Sequence, residues 1–216
     1  MAGPNLTYHP PIYTVETTTG LTALTSAQLE KAGQTFKLGT PVESNAGVIQ
    51  AWDGTTIAAA IAGFSLTYGL NLGTAGAGAP GAFGQIGPPG AIQTYGTVQN
   101  QPSALNIAIG APISDGRTLF ENAVDDNIFE AVFDNSTGTV AANYTILQSQ
   151  IGTQFGLTID ASGQWYVDGA KTTPGTNTVV TVVGVNPVDQ TSTGGVYIVN
   201  ARVRFQVLSS AAQFVL

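Results

Sequence analysis

Residues 196–208 alternate clearly. Tyr197, Val199, Ala201, Val203, Phe205 and Val207 fall on one face, and Arg202, Arg204 and Gln206 on the other. A period of two marks a strand that buries one side only. The same kind of short apolar or β-branched run recurs at 35–42, 48–52, 55–67, 103–113, 127–133, 155–159, 164–167 and 178–185. Gly, Pro or Asp-Gly punctuates these runs, with Asp53-Gly54 read as a two-residue hairpin turn. Many short strands with regular turn signals predict an all-β chain of small β-barrel or β-sandwich units. Helical signals are brief. Thr25 with Gln28 predicts a short helix ended by Gly33, Thr118 with Glu121 a capping box for a helix to 125, and Thr145 a helical turn ended by Gly152.

The 216 residues suffice for one large β-domain or two small ones. They are expected to divide into an extended N-terminal arm (1–24), a β-domain (25–134) and a second β-unit (135–216). In the arm, Pro4, Pro10 and Pro11 oppose helix, and Tyr8, Pro10, Pro11, Ile12, Tyr13 and Val15 are too apolar for a solvated tail. They are expected to contact a partner subunit. A long Gly/Pro-rich loop interrupts the first domain at 69–97. From Gly78 to Gly90 glycine takes every third position, with Pro80, Phe83, Ile86, Pro88 and Pro89 between. Four triplets are too few for a triple helix alone, but three copies could meet on a three-fold axis. Those five residues are therefore the expected oligomer contacts.

Charge is scarce and uneven. Charged residues are 9% of the chain, against roughly a quarter in an ordinary soluble domain. Residues 54–114 contain no Asp, Glu, Lys, Arg or His. Such a stretch is expected to be covered by a subunit. The net charge is −7 and the six basic residues are scattered, which argues against nucleic-acid binding. There is no cysteine for disulfide or thiol chemistry. The opening MAGPNLTYHPP has no basic region followed by an apolar run, and 57–64 is far too short to span a bilayer, so folding in a cytoplasm and no membrane partner are expected.

Few residues could carry chemistry, and neither enzyme activity nor a cofactor is expected. Gly76-Ala-Gly78-Ala-Pro-Gly81 fits a dinucleotide pattern, but in a glycine-rich tract without the strand and helix such a site needs. Asp125, Asp126, Asp134, Asp160 and Asp168 lack the alternate ligand spacing of a calcium loop, and Asp53, Asp115 and Asp168 precede Gly, as turn residues do. His9 is the single histidine, placed in an arm that reads as mobile. Glu121 and Glu130 are acids in apolar surroundings, expected to face solvent. Trp52 and Trp165 lie beside turns, where they could stack on a glycan or pack inside.

Phe36-Lys-Leu-Gly39-Thr-Pro41-Val42, a short strand to Asp53-Gly54 and the run IAAAIAGFS at 57–65 together resemble the head decoration, or capsid cement, proteins of tailed bacteriophages. The resemblance covers about 14–68, and more loosely 140–210, where Tyr166-Val-Asp168 is similar to segments of phage virion proteins. It implies a small β-barrel after a Thr-rich arm and no catalytic residue. It also implies a homotrimer on the capsid exterior that clamps neighbouring major capsid subunits. The alternative function is a tail, fibre or adhesin module that binds glycans or a host receptor.

Overall fold

The computed structural model describes residues 9–31, 36–67, 117–190 and 197–213. They are all-β: eleven strands and three single 3₁₀ turns, at Ala141–Tyr144, Gln148–Gln150 and Pro187–Asp189. Among them no helix is long and apolar enough to cross a membrane. The Gly-rich loop, the strand expected at 103–113, and Tyr8, Pro80, Phe83, Ile86, Pro88 and Pro89 lie outside the described residues.

The strands make two small closed barrels. In the first, β2 (Thr25–Leu29), β6 (Arg117–Asn122), β5 (Gly63–Ser65), β3 (Pro41–Asn45) and β4 (Val48–Ala51) follow one another in space. A parallel bridge from Glu30 to Ile49, with Lys31 N–H donating to the Ile49 carbonyl at 2.8 Å, joins β4 back to β2. Closure removes the free edges that would otherwise pair with other chains. Phe36, Val42, Ile49, Ala62 and Phe120 fill this barrel.

In the second barrel the order is β7 (Asn127–Asp134), β11 (Arg202–Val207), β10 (Val180–Val185), β8 (Gln154–Ile159) and β9 (Trp165–Asp168). β9 returns to β7 in parallel, pairing Phe133 with Val167 and Asp134 with Asp168. β1 (Tyr13–Thr17) occupies the same edge of β7 further upstream, from Asn127 to Glu130. Along β7, Phe129, Ala131 and Phe133 point inward while Glu130 and Asp134 fall on the outer face.

One core joins the barrels. Phe64 of β5 packs on Phe129 at 4.5 Å and on Phe205 at 5.8 Å between ring centres. Trp52 meets Trp165 at 5.3 Å. Residues 210–213 bond along 59–61 of the first barrel. β7, which ends at the expected division after 134, and β1 both belong to the second barrel. The all-β class agrees with the sequence reading.

Several local expectations are corrected. Segments 25–29 and 117–122 are paired strands, not helices, with Ala27 opposite Leu119. A five-residue helix is marginal in water, whereas each of these segments gains a full ladder from the other. The hairpin turn is Ala46-Gly47, where φ is 52° and 85°, joining β3 to β4. Those angles suit the two central positions of a type I′ turn. Asp53 instead accepts the Thr55 and Thr56 amides at 2.8 Å, which holds its carboxyl at a pKa of about 2. The strand over 178–185 is not buried on both faces, because Val183 sits in a bulge and is exposed.

Candidate functional site

β7 places two carboxylates four residues apart on its outer face, and the incoming N-terminal segment covers both. Tyr13 Oη donates to Glu130 Oε1 at 3.0 Å. Four residues upstream of Tyr13, His9 Nε2 lies 2.9 Å from Asp134 Oδ2, four residues downstream of Glu130. Beyond the β1 ladder, which ends at Tyr13 opposite Glu130, the segment reaches Asp134 through the His9 side chain alone.

His9 is wholly buried. Its Nδ1 lies 2.8 Å from Asp160 Oδ2, and its backbone N–H donates to the same oxygen at 3.0 Å. Its ring stacks on Tyr166 with centres 4.4 Å apart and planes at 18°. Burial opposes a charge on the ring, but the hydrogen bonds and the charges of Asp134 and Asp160 outweigh it and raise the pKa above the ordinary histidine value. Asp160 caps the β8–β9 turn, accepting the Ser162 amide at 2.7 Å and hydroxyl at 2.6 Å and the Gln164 amide at 2.9 Å. Burial opposes its charge too, yet these donors and His9 hold it at about 2. Burial, with the nearby carboxylates, pushes the Tyr166 phenol well up.

The depressed Asp160 pKa gives a prediction on the acid side. A carboxylate with a lowered folded-state pKa contributes stability that is present above its ordinary value and lost as pH falls through the folded value. Between about pH 4 and about pH 2 the wild-type chain should lose stability more steeply than Asp160→Asn. Urea midpoints across that range measure it, and parallel slopes would refute the assignment.

Glu130 is 2% exposed, against the expectation that it faces solvent. Besides Tyr13 it accepts Asn186 Nδ2 at 3.0 Å, and Arg202 Nη1 and Arg204 Nε approach to 3.8 Å. Arg202 grips Asp189 with Nε and Nη2, both at 2.9 Å. That fork holds the Asp189 carboxyl below the usual range. The network ties the Pro187–Asp189 turn and β1 to the outside of β7 and β11.

Asp168 and Asp126 hold loop segments. Asp168 accepts the Ser136 amide at 3.0 Å, the Ala170 amide at 2.9 Å and the Thr158 hydroxyl at 2.6 Å. Asp126 is bonded to Thr18 and Thr19. Among the described residues no group of three or more His, Cys, Asp or Glu stands together as metal ligands. Trp52 and Trp165 are each 4% exposed and face one another in the core, so neither can stack on a sugar.

The expected partner contacts divide. Ile12 is buried in the chain's own core, Pro10, Pro11 and Val15 are half-buried, and Tyr13 is exposed. Ile12 crosses Gly39 of the first barrel so closely that a Cβ there would lie 2.2 Å from the Ile12 nitrogen. The arm is thus a strap over both barrels from His9 to Thr17. An outward apolar strip lies elsewhere: Ala27 and Leu29 on β2 and Leu119 on β6 face out. Period two along 127–134 could have revealed Glu130 and Asp134 on one face. No local signal could have joined them to His9, more than a hundred residues away.

No protein-family model, no curated protein and no solved structure matches the chain.

Proposed function

We propose that the chain is a virion structural protein that binds the outside of an assembled tailed-phage capsid and stabilises contacts between major capsid subunits. One observation carries the reading. Residues 36–65, which hold the resemblance to decoration proteins, supply β3, β4 and β5 of a closed five-stranded barrel, and that barrel turns the Ala27, Leu29 and Leu119 strip outward. The strip lies on regular strands, so its side chains are preorganised and lose little freedom on docking. The strap supports the reading in a different way from the one its sequence suggests. By pairing β1 with β7 it occupies an edge that a partner strand could otherwise use, so contact with the capsid runs through side chains of the outer face.

The test is decoration of capsids that lack the chain, read by co-sedimentation. Leu29→Asp combined with Leu119→Asp places two charges on the strip while leaving both cores intact. It should weaken co-sedimentation by at least about tenfold, while circular dichroism and melting stay as in the wild type. Full decoration by that variant would refute the docking face. A wild-type chain that never sediments with heads would refute the capsid reading. Native mass spectrometry should find a homotrimer.

A further inference from the structure

We propose that His9 is a proton-gated latch: as an imidazolium it pins the N-terminal strap to the second barrel, and loss of its proton releases the strap at this point. With both carboxylates ionised, the geometry calls for two donors on the ring. Each nitrogen faces a carboxylate oxygen, Asp134 Oδ2 at 2.9 Å and Asp160 Oδ2 at 2.8 Å, in a site without solvent exposure. A neutral imidazole has one N–H, so one nitrogen would present a lone pair to a carboxylate. Buried acceptors set against each other cost a charge-assisted hydrogen bond and leave a buried charge short of its partner. Ring protonation and docking of the strap are therefore coupled.

Every element packed around the ring contributes to its field. β7 gives Asp134, the β8–β9 turn gives Asp160, and β9 gives Tyr166 with Asp168 opposite Asp134. Tyr144 of a 3₁₀ turn adds a second phenol near Tyr166. Two cations lie on that side: Lys37 donates to the Ser162 carbonyl of the same turn, and Lys171, near Asp168, donates to the Leu157 carbonyl. Acids thus outnumber bases around the ring, and the folded-state pKa of His9 stands above its unfolded value. Stability from a group shifted this way is complete below the unfolded pKa and is lost as pH rises through the folded one. The latch holds while the ring is protonated and both carboxylates are ionised, and it opens as pH rises through the folded-state pKa of His9. Opening is local, because β1 keeps its ladder on β7.

The chain has one histidine, so its ring resonances are unambiguous. In two-bond proton–nitrogen spectra of the full chain, both ring nitrogens should be protonated at neutral pH. The ring should titrate above the same histidine in the urea-unfolded chain. From about pH 6 to about pH 9 the His9 amide, corrected for intrinsic exchange, should lose at least about tenfold of its protection. The Ala131 and Val203 amides of the barrel ladder should keep theirs. Asp160→Asn should move the ring titration back toward the unfolded value. A neutral single tautomer at neutral pH overturns the proposal. So does a titrating ring whose amide protection does not change. Both of those measurements use the wild-type chain and stand even if the variant fails to fold.

Discussion

Phe129→Ala lowers the stability of the folded chain by about 3–5 kcal/mol, the range for truncating a fully buried phenylalanine. Phe129 has no solvent exposure and sits where the two barrels share a core. Its ring touches Phe64 of the first barrel and Phe205 of the second, with centres 4.5 and 5.8 Å away. Its backbone is fixed on both sides, opposite Thr14 on β1 and Phe205 on β11. Walls held by two ladders cannot collapse into the space left behind, which places the loss in the upper part of the range. The aromatic contacts add about 0.5–1.5 kcal/mol that a smaller aliphatic would not restore. Because the ring belongs to both barrels, urea unfolding should remain one transition with a lowered midpoint. A loss under about 1 kcal/mol, or a first barrel that melts unchanged, would show that the barrels do not share this core.

Gly39→Ala is the second large effect, and its cause is a crossing of chains. Gly39 has φ of +73°, which costs an L-residue about 1–2 kcal/mol. An added Cβ would also lie 2.2 Å from the nitrogen and 2.7 Å from the oxygen of Ile12, both backbone atoms that no rotamer change can move. The strap must lift, and Ile12 leaves the core, forfeiting about 1.5–3 kcal/mol of apolar burial. Gly47 is the control. Its φ is +85°, but nothing stands within 4 Å of its Cβ position, so Gly47→Ala should lose the conformational part alone. Thermal denaturation of the two variants side by side measures the difference. Equal losses would mean that the crossing at Gly39 is loose. Hydrogen exchange should localise the Gly39→Ala damage to residues 9–13.

The strap explains why part of this molecule was legible in the sequence and part was not. β11 reads directly from the alternation of Val203, Phe205 and Val207 with Arg202, Arg204 and Gln206, because a one-sided strand writes its burial into its own residues. The β8–β9 hairpin reads as well, since Asp160 and Gly163 form its turn locally. His9 does not read. Among prolines and next to a tyrosine it reads as part of an arm that docks on a partner subunit, and its partners are Asp134 and Asp160 of its own chain. Glu130 misleads for the same reason: an acid on the outer face of a strand is solvated unless another segment lies on it. Thr25–Leu29 and Arg117–Asn122 carry weak capping signals that suit a helix, and their mutual pairing overrides them.

The all-β character, most strand positions and the turn roles of the acids thus follow from the chain's own periodicity and its Gly, Pro and Asp placement. These are properties of neighbours, set by sterics and hydrogen bonds within a few residues. Tertiary structure alone decided which strands close into which barrel, that one aromatic core joins both, and that the N-terminal segment is a strap locked by a buried histidine. Those features depend on partners brought together from distant parts of the chain, where burial removes water as the competing hydrogen-bond partner. Only in that dry setting do two carboxylates and one imidazole become a lock.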